Sequence, residues 1–289
     1  MSGSLEGTVV AAFGRHYEVE LADGDSLTGF PRGKKSPYAC GDRVTLERVA
    51  ADQGQILRHM PRTSLLYRSD AYREKLIAAN ATQILLVVAT EPSFSDELLS
   101  RALVAAESQG LASIIVLNKA DLAERLAQAQ ARLAPLQALG YPVIVVSART
   151  DVAPLLPLLA GELSVLVGQS GMGKSTLINA LVPGAAAVTR EISTALDSGK
   201  HTTTHARLYR LDHGGALIDS PGLQEFGLAH LTRGAIEQGF IEFRPYLDAC
   251  RFRDCRHQTE PGCAIKHAVQ QGRISVYRYE QFQRLTAGH

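Results

Sequence analysis

Gly168-Gln169-Ser170-Gly171-Met172-Gly173-Lys174-Ser175-Thr176 is the stretch on which the fold turns. Its spacing fits G-x-x-x-x-G-K-[ST], and its flanks give that spacing physical meaning. The apolar run Val165-Leu166-Val167 before it reads as a buried strand. After it, Thr176-Leu177-Ile178-Asn179-Ala180-Leu181 reads as a first helix. Strand, glycine loop and helix together aim backbone N–H groups at phosphate oxygens from a helix N-terminus. In such a loop Lys174 reaches the β- and γ-phosphates, and the Ser175 hydroxyl ligates Mg2+. The stretch therefore predicts a bound nucleoside triphosphate with Mg2+.

Upstream, strand and helix alternate. Ile84-Leu85-Leu86-Val87-Val88-Ala89 is a continuous apolar run, as in a parallel strand covered on both faces. A helix is predicted over residues 95–109, capped by Ser95 or Asp96, and another over residues 122–139. Strands at Ile114-Ile115-Val116-Leu117 and Val143-Ile144-Val145-Val146 complete a pattern that predicts a parallel, doubly wound sheet. Asn118-Lys119-Ala120-Asp121 follows the second of these strands and matches N-K-x-D. A carboxylate at Asp121 accepts from both N1–H and the exocyclic amine of guanine, a donor pair that adenine lacks. Asn118 would tie the base loop to the phosphate loop, and the Lys119 stem would cover the base plane. Ser147-Ala148, after the third strand, matches a short element whose backbone amide can meet guanine O6.

Downstream stand Gly199-Lys200-His201-Thr202-Thr203-Thr204 and then Asp219-Ser220-Pro221-Gly222. D-x-x-G at a strand end puts Asp219 near Mg2+ and the Gly222 amide at the γ-phosphate. One of the threonines, with Thr203 preferred, would close on Mg2+. Both segments would be switches ordered by the γ-phosphate. The order is unusual, because N-K-x-D precedes the phosphate loop instead of following it. The same sheet results if the chain is cut and rejoined elsewhere. In that order the second switch runs straight into the C-terminal segment, whose movement would report hydrolysis.

Before residue 62 the pattern is short and alternating. Thr8-Val9-Val10-Ala11-Ala12, Tyr17-Glu18-Val19-Glu20-Leu21 and Arg43-Val44-Thr45-Leu46-Glu47 read as strands of a small closed β-barrel of the OB-fold kind. Arg32-Gly33-Lys34-Lys35, with Arg15, His16 and Tyr17, suits RNA backbone contact and base stacking, or else a solvated loop. Residues 62–68 and 71–79 read as a connector. At the other end, Cys250-x4-Cys255-x-His257-x5-Cys263 supplies three thiolates and an imidazole, a closed tetrahedral set for one structural Zn2+. Its flanks, residues 233–247 and 264–285, read as helical. Arg251, Arg253 and Arg256 lie between the ligands, available to phosphates or simply solvated.

The net charge of +1 requires no particular partner, so any basic surface must be local. No apolar run reaches the roughly 18 residues of a membrane span. No secretory signal is visible, and clustered cysteines favour metal over disulfides, so a cytoplasmic protein is expected; nothing in the sequence demands a dimer, and a monomer is expected.

These motifs, in this order, resemble the circularly permuted small-ribosomal-subunit biogenesis GTPases of the RsgA (YjeQ) family, along almost the whole chain. The resemblance implies three domains: an OB-fold barrel at residues 1–62, a permuted α/β P-loop GTPase domain at 63–228 and an α-helical zinc-binding domain at 229–289. It also implies GTP hydrolysis to GDP, stimulated by the small (30S) subunit, contact with its 16S rRNA, and a late maturation checkpoint. Leu223 stands where Ras-like enzymes carry a water-positioning glutamine. Slow intrinsic turnover is expected, with the missing group supplied by another residue or by the partner. His201 is similar to the family's proposed catalytic histidine, or else packs within its switch.

Overall fold

The computed structural model describes residues 4–33, 37–69, 74–185, 206–220 and 228–287. Five strands come first: β1 (Leu5–Ala12), β2 (Tyr17–Leu21), β3 (Ser26–Pro31), β4 (Arg43–Arg48) and β5 (Gln53–His59). They join in the order β1-β2-β3-β5-β4, and β4 returns to β1 to close an OB-type barrel. Neighbours are antiparallel except β3 and β5, which run parallel. Tyr17, Val19 and Leu21 point inward and alternate with Glu18 and Glu20, the period-two pattern of a half-buried strand.

Strands β3 and β5 depart from the three-strand expectation, and two glycines explain why. A Cβ at Gly29 would lie 2.9 Å from Ile56 Cδ1, and one at Gly54 would lie 2.7 Å from Leu46 Cδ1. Glycine lets each strand close onto the core while erasing the alternation that would reveal it. The connector expectation also needs correction. Residues 62–79 contain a hairpin of β6 (Leu65–Ser69) and β7 (Glu74–Ala79). It is anchored by a tertiary bond from Leu65 N to Gln109 Oε1 of 3.1 Å, which no local pattern announces.

Strands and helices then alternate: β8 (Gln83–Ala89), α1 (Asp96–Ser108), β9 (Ala112–Asn118), α2 (Ala123–Ala138), β10 (Val143–Val145), α3 (Leu156–Leu159), β11 (Leu163–Gly168) and α4 (Lys174–Leu181). The hairpin of β12 (Arg207–Arg210) and β13 (Ala216–Asp219) follows. Strands β10-β9-β8-β11-β13 are all parallel, and β8 is buried along its whole length. Ser95 caps α1, its Oγ accepting from Leu98 N. β12 departs from the parallel expectation and runs antiparallel to β13. The five residues between them form a tight turn, too short for a crossover. The outer edge of β12 pairs with β1 at Ala11 and Arg207, which makes barrel and central sheet one continuous sheet.

The C-terminal part packs on α1. It holds α5 (Arg233–Gly239), a 3-10 segment (Ile241–Ala249), α6 (Ala264–Gln270) and α7 (Val276–Thr286). The two long helices expected here are therefore broken. Pro245 removes a backbone donor from the first, and Gly272, at φ +70°, ends α6. Phe240, Phe243 and Phe282 are fully buried, with ring centroids 5.0–5.5 Å apart. Gly239 permits close approach to α1, since a Cβ there would lie 2.8 Å from Val104 Cγ1.

Arg278 completes the junction. It is 1% exposed, donates from Nε to Glu242 Oε1 at 2.6 Å and from Nη1 to Ser100 Oγ of α1 at 3.1 Å. Removing one member of a buried pair strands the other charge. Arg278→Ala is therefore expected to destabilise the chain by about 3–5 kcal/mol, read as a lowered melting temperature. An unchanged melting temperature would contradict this role.

Candidate functional site

Five parallel strands end along one edge of the sheet, the place where open α/β folds bind ligands. There β11 delivers Gly168, and a Cβ at this glycine would lie 2.5 Å from the Val87 carbonyl of β8. The loop then passes Gln169 and exposed Ser170, and turns at Gly171 (φ +82°) and Gly173 (φ +87°), conformations that favour glycine. Between them the Met172 side chain is buried and pins the loop. The first turn of α4, with exposed Ser175 and Thr176, has no side-chain cap, so its backbone N–H groups face outward for an anion. The helix starts at Lys174, two residues before the predicted start. Lys174 Nζ folds back onto the loop carbonyls, donating to Gly168 O and, at 3.2 Å, to Gln169 O. Burial pushes its pKa down, and the nearby Asp219 carboxylate opposes that shift.

Asn118, at the end of β9, is 1% exposed. Its Nδ2 donates to Met172 O at 2.9 Å, and its Oδ1 accepts from Ala148 N at 2.9 Å. Three loops are thereby locked together, including the phosphate loop and the Ser147-Ala148 turn. Lys119 follows at φ +62°, its Nζ donating to Glu91 O at 2.7 Å and its carbonyl accepting from Thr90 Oγ1 at 3.1 Å. Asp121 is exposed, and its Oδ1 accepts from Ser147 Oγ at 2.7 Å. That hydrogen bond holds the carboxyl below its ordinary pKa, which keeps an acceptor-only carboxylate available. Asp219, 5% exposed, ends β13 on the same edge, next to Ser220, whose Oγ donates to Leu166 O at 2.8 Å.

His201, Thr203 and Gly222, with Leu223, lie outside the described residues. Gln169 plays a part that the motif does not encode: its Oε1 accepts from Ser95 N at 2.6 Å and ties the phosphate loop to the start of α1.

A second cluster lies in the C-terminal part. One donor atom from each of Cys250, Cys255, His257 and Cys263 falls within 4.8 Å of the others, so the cluster could hold a metal ion. His257 turns Nδ1 toward Cys263 Sγ at 3.3 Å and Cys250 Sγ at 3.6 Å. Its Nε2 lies 3.6 Å from Glu237 Oε1, a carboxylate that orients the ring. Backbone N–H groups of Ala264 and Lys266 donate to the Cys250 and Cys263 sulfurs and fix their positions. Burial pushes the Cys255 thiol up to about 12, a penalty that a bound dication reverses. Neither Glu237 nor Glu260 was visible as part of this cluster. Glu260 accepts from the amides of Arg256, Gln258 and Thr259, shaping the loop. Arg251, Arg253 and Arg256 are exposed around it.

On the barrel, one expectation is overturned. Tyr17 is fully buried among the core side chains and cannot stack on a base. The aromatic groups nearer solvent are His16, stacked on Phe13 with centroids 5.1 Å apart, and Phe30, 39% exposed and 6.4 Å from His16. His16 is expected in this patch, whereas Phe30, fourteen residues further along the chain, is not. Arg15 and Arg32 are exposed nearby in the chain, and Lys34 and Lys35 lie outside the described residues.

Residues 59–229 match the family model described as RsgA GTPase. "Small ribosomal subunit biogenesis GTPase RsgA" of Nitrosospira multiformis is 57% identical over 286 residues, covering 99% of this chain and 91% of the relative. The protein of the same name from Burkholderia pseudomallei is 58% identical, covering 97% and 91%. Among solved structures, YjeQ from Thermotoga maritima matches with a TM-score of 0.76 and 30% identity, covering 99% of this chain and all of that one. YloQ, described as a circularly permuted GTPase, matches at 0.73 and 27% identity, over 99% and 94%.

Glu237→Gln is expected to weaken metal binding about 10–100-fold in competition with a chromophoric chelator, because the ring loses its orienting carboxylate. Unchanged affinity would remove Glu237 from the site.

Proposed function

The chain belongs to the RsgA GTPase family, and from that premise we propose that it is an assembly factor of the small ribosomal subunit. It binds the 30S particle and its 16S rRNA, hydrolyses GTP when stimulated by that particle, and acts late in maturation as a checkpoint. The observation that carries the nucleotide reading is the Asn118 bridge between the phosphate loop and the turn beside Asp121. The relatives' names support the ribosomal reading.

In this reading Asp121 takes N1–H and the exocyclic amine of guanine, the Ala148 region meets O6, and Lys119 covers the base. The amides of residues 168–176 and Lys174 hold the phosphates. Ser175 and Thr203 would hold Mg2+, with Asp219 close by, and the Gly222 amide would serve the γ-phosphate. Bound there, Mg2+ would neutralise developing phosphate charge. His201 orients the water that Leu223 cannot hold by a hydrogen bond. Cys250, Cys255, His257 and Cys263 hold one structural Zn2+, a closed set with no position left for substrate. Residues 1–62 contact RNA, 63–228 turn over GTP and 229–289 form the zinc-binding part of a cytoplasmic monomer.

Asp121→Asn exchanges an acceptor for a donor at the base. It is expected to cut turnover of GTP and shift preference toward xanthosine triphosphate, measured by competition between the two nucleotides. Retained preference for GTP would contradict the assignment. His201→Ala is expected to lower turnover stimulated by small subunits about tenfold or more while guanine nucleotide affinity holds. Full stimulated turnover would remove His201 from the mechanism.

A further inference from the structure

Arg207 stands at a crossing in the sheet. Its backbone is in register with Asp219 of β13 on one side and Ala11 of the barrel on the other. Asp219 is in register with Leu166, and Leu166 with Leu85. One transverse row therefore runs from the barrel to the centre of the nucleotide-binding sheet.

The backbone seam along this row is thin. It consists of the Ala11–Arg207 pairing and a long bond from Ala12 N to Ala206 O of 3.4 Å. Side chains reinforce it. The Arg207 guanidinium forks onto both oxygens of Glu18, at 2.9 and 3.2 Å, and Arg210 donates twice to Glu20 Oε1, at 3.1 and 2.6 Å. Glu18 and Glu20 sit on the outward face of β2, while its inward residues fill the barrel. The first pair is bidentate and half-buried, the geometry in which such pairs are strong. The second is more exposed and weaker. A further contact comes from the barrel turn at Gly41 (φ +91°). A Cβ there would lie 2.2 Å from Ala79 O and 3.3 Å from Ile218 Cδ1, the residue before Asp219.

We propose that the barrel splints the β12–β13 hairpin, and that Glu18 and Glu20 are positioning residues for GTP hydrolysis. They hold Arg207 and Arg210 in the register that sets Asp219 at the nucleotide edge. This rests on the reading of Asp219 as a group that faces nucleotide-bound Mg2+. Both strands of the hairpin have four residues, and without β1 the outer face of β12 would be an open sheet edge. β11 already pairs with β13 along its four residues, so what the barrel adds is support of β12, the strand that backs Asp219 on its other side. A slip of about 1 Å at a group that serves the reacting phosphate can cost roughly 100-fold in rate. Nucleotide affinity would move far less, because the phosphate loop and Asp121 supply most of it. In the proposed reading the barrel is thus both the surface that meets RNA and the support of a group that faces the nucleotide-bound Mg2+, so a load on one is felt by the other.

The test uses the full-length, metal-loaded chain. Glu18→Gln combined with Glu20→Gln is expected to lower kcat about fivefold or more, with affinity for a fluorescent guanine nucleotide within about twofold of the parent. Glutamine keeps a hydrogen-bond acceptor for each guanidinium, so the chain is expected to stay fully folded at the assay temperature with only a small fall in melting temperature. The paired reversal Glu18→Arg with Arg207→Glu is expected to recover turnover relative to either reversal alone. Parental kcat in the double glutamine variant, with Asp219→Asn inactive, would overturn the proposal. So would a loss of kcat that tracks a fall in melting temperature, or a paired reversal no better than the single ones. Full turnover in Asp219→Asn would instead sink the reading of Asp219 on which the proposal rests.

Discussion

The Asn118 carboxamide, buried at the end of β9, reaches 54 residues along the chain to donate to Met172 O and 30 residues to accept from Ala148 N. Each of these groups would otherwise be a polar atom shut away from water, at a cost of about 1–3 kcal/mol. The glycine loop at 168–173 and the turns at 118–121 and 147–148 therefore form as one unit. Asn118 also explains Gly173: a side chain there would place Cβ 2.5 Å from Asn118 Nδ2, and the backbone is left-handed at that position. The placement of Gly173 and the joining of the three loops thus follow from one buried amide.

The permuted order changes what is attached to that unit. In space the parallel strands run β10-β9-β8-β11-β13, whereas in sequence the strand bearing Asn118 comes before the phosphate loop. The chain enters through the barrel, which is welded to the edge strand β12, and leaves through the metal-binding part, which is clamped to α1 by Arg278 and Gly239. Gln169 joins the phosphate loop to the start of the same α1. Both ends of the chain thus bear on elements that touch the nucleotide edge. In the proposed reading, this is how a particle holding the barrel and the metal-binding part can alter turnover.

What could be read in advance was whatever repeats at short range. The continuous apolar run of β8, the strict alternation of β2, the capped start of α1 and the Cys/His spacing each carry their own local signature. Other features depend on partners distant in sequence. β3 and β5 meet as a parallel pair across two glycines, and the hairpin of β6 and β7 leans on Gln109. Arg278 looks like a surface residue of a polar helix and is instead one of the largest buried side chains. Tyr17 looks like a stacking residue beside basic groups, yet its place in the alternation of β2 sends it inward. At the metal cluster the Cys/His spacing was legible, while Glu237 and Glu260, the carboxylates beside it, had no spacing to betray them.

The most direct measurement is steady-state GTP turnover by the full chain at fixed salt, alone and with purified small or large ribosomal subunits. Slow turnover is expected for the chain alone, since Leu223 cannot hold the attacking water, with strong stimulation by the small subunit that the large subunit does not reproduce. Tight GTP binding with no stimulation by small subunits would contradict this expectation, and would leave a nucleotide-gated binding module whose hydrolysis is incidental.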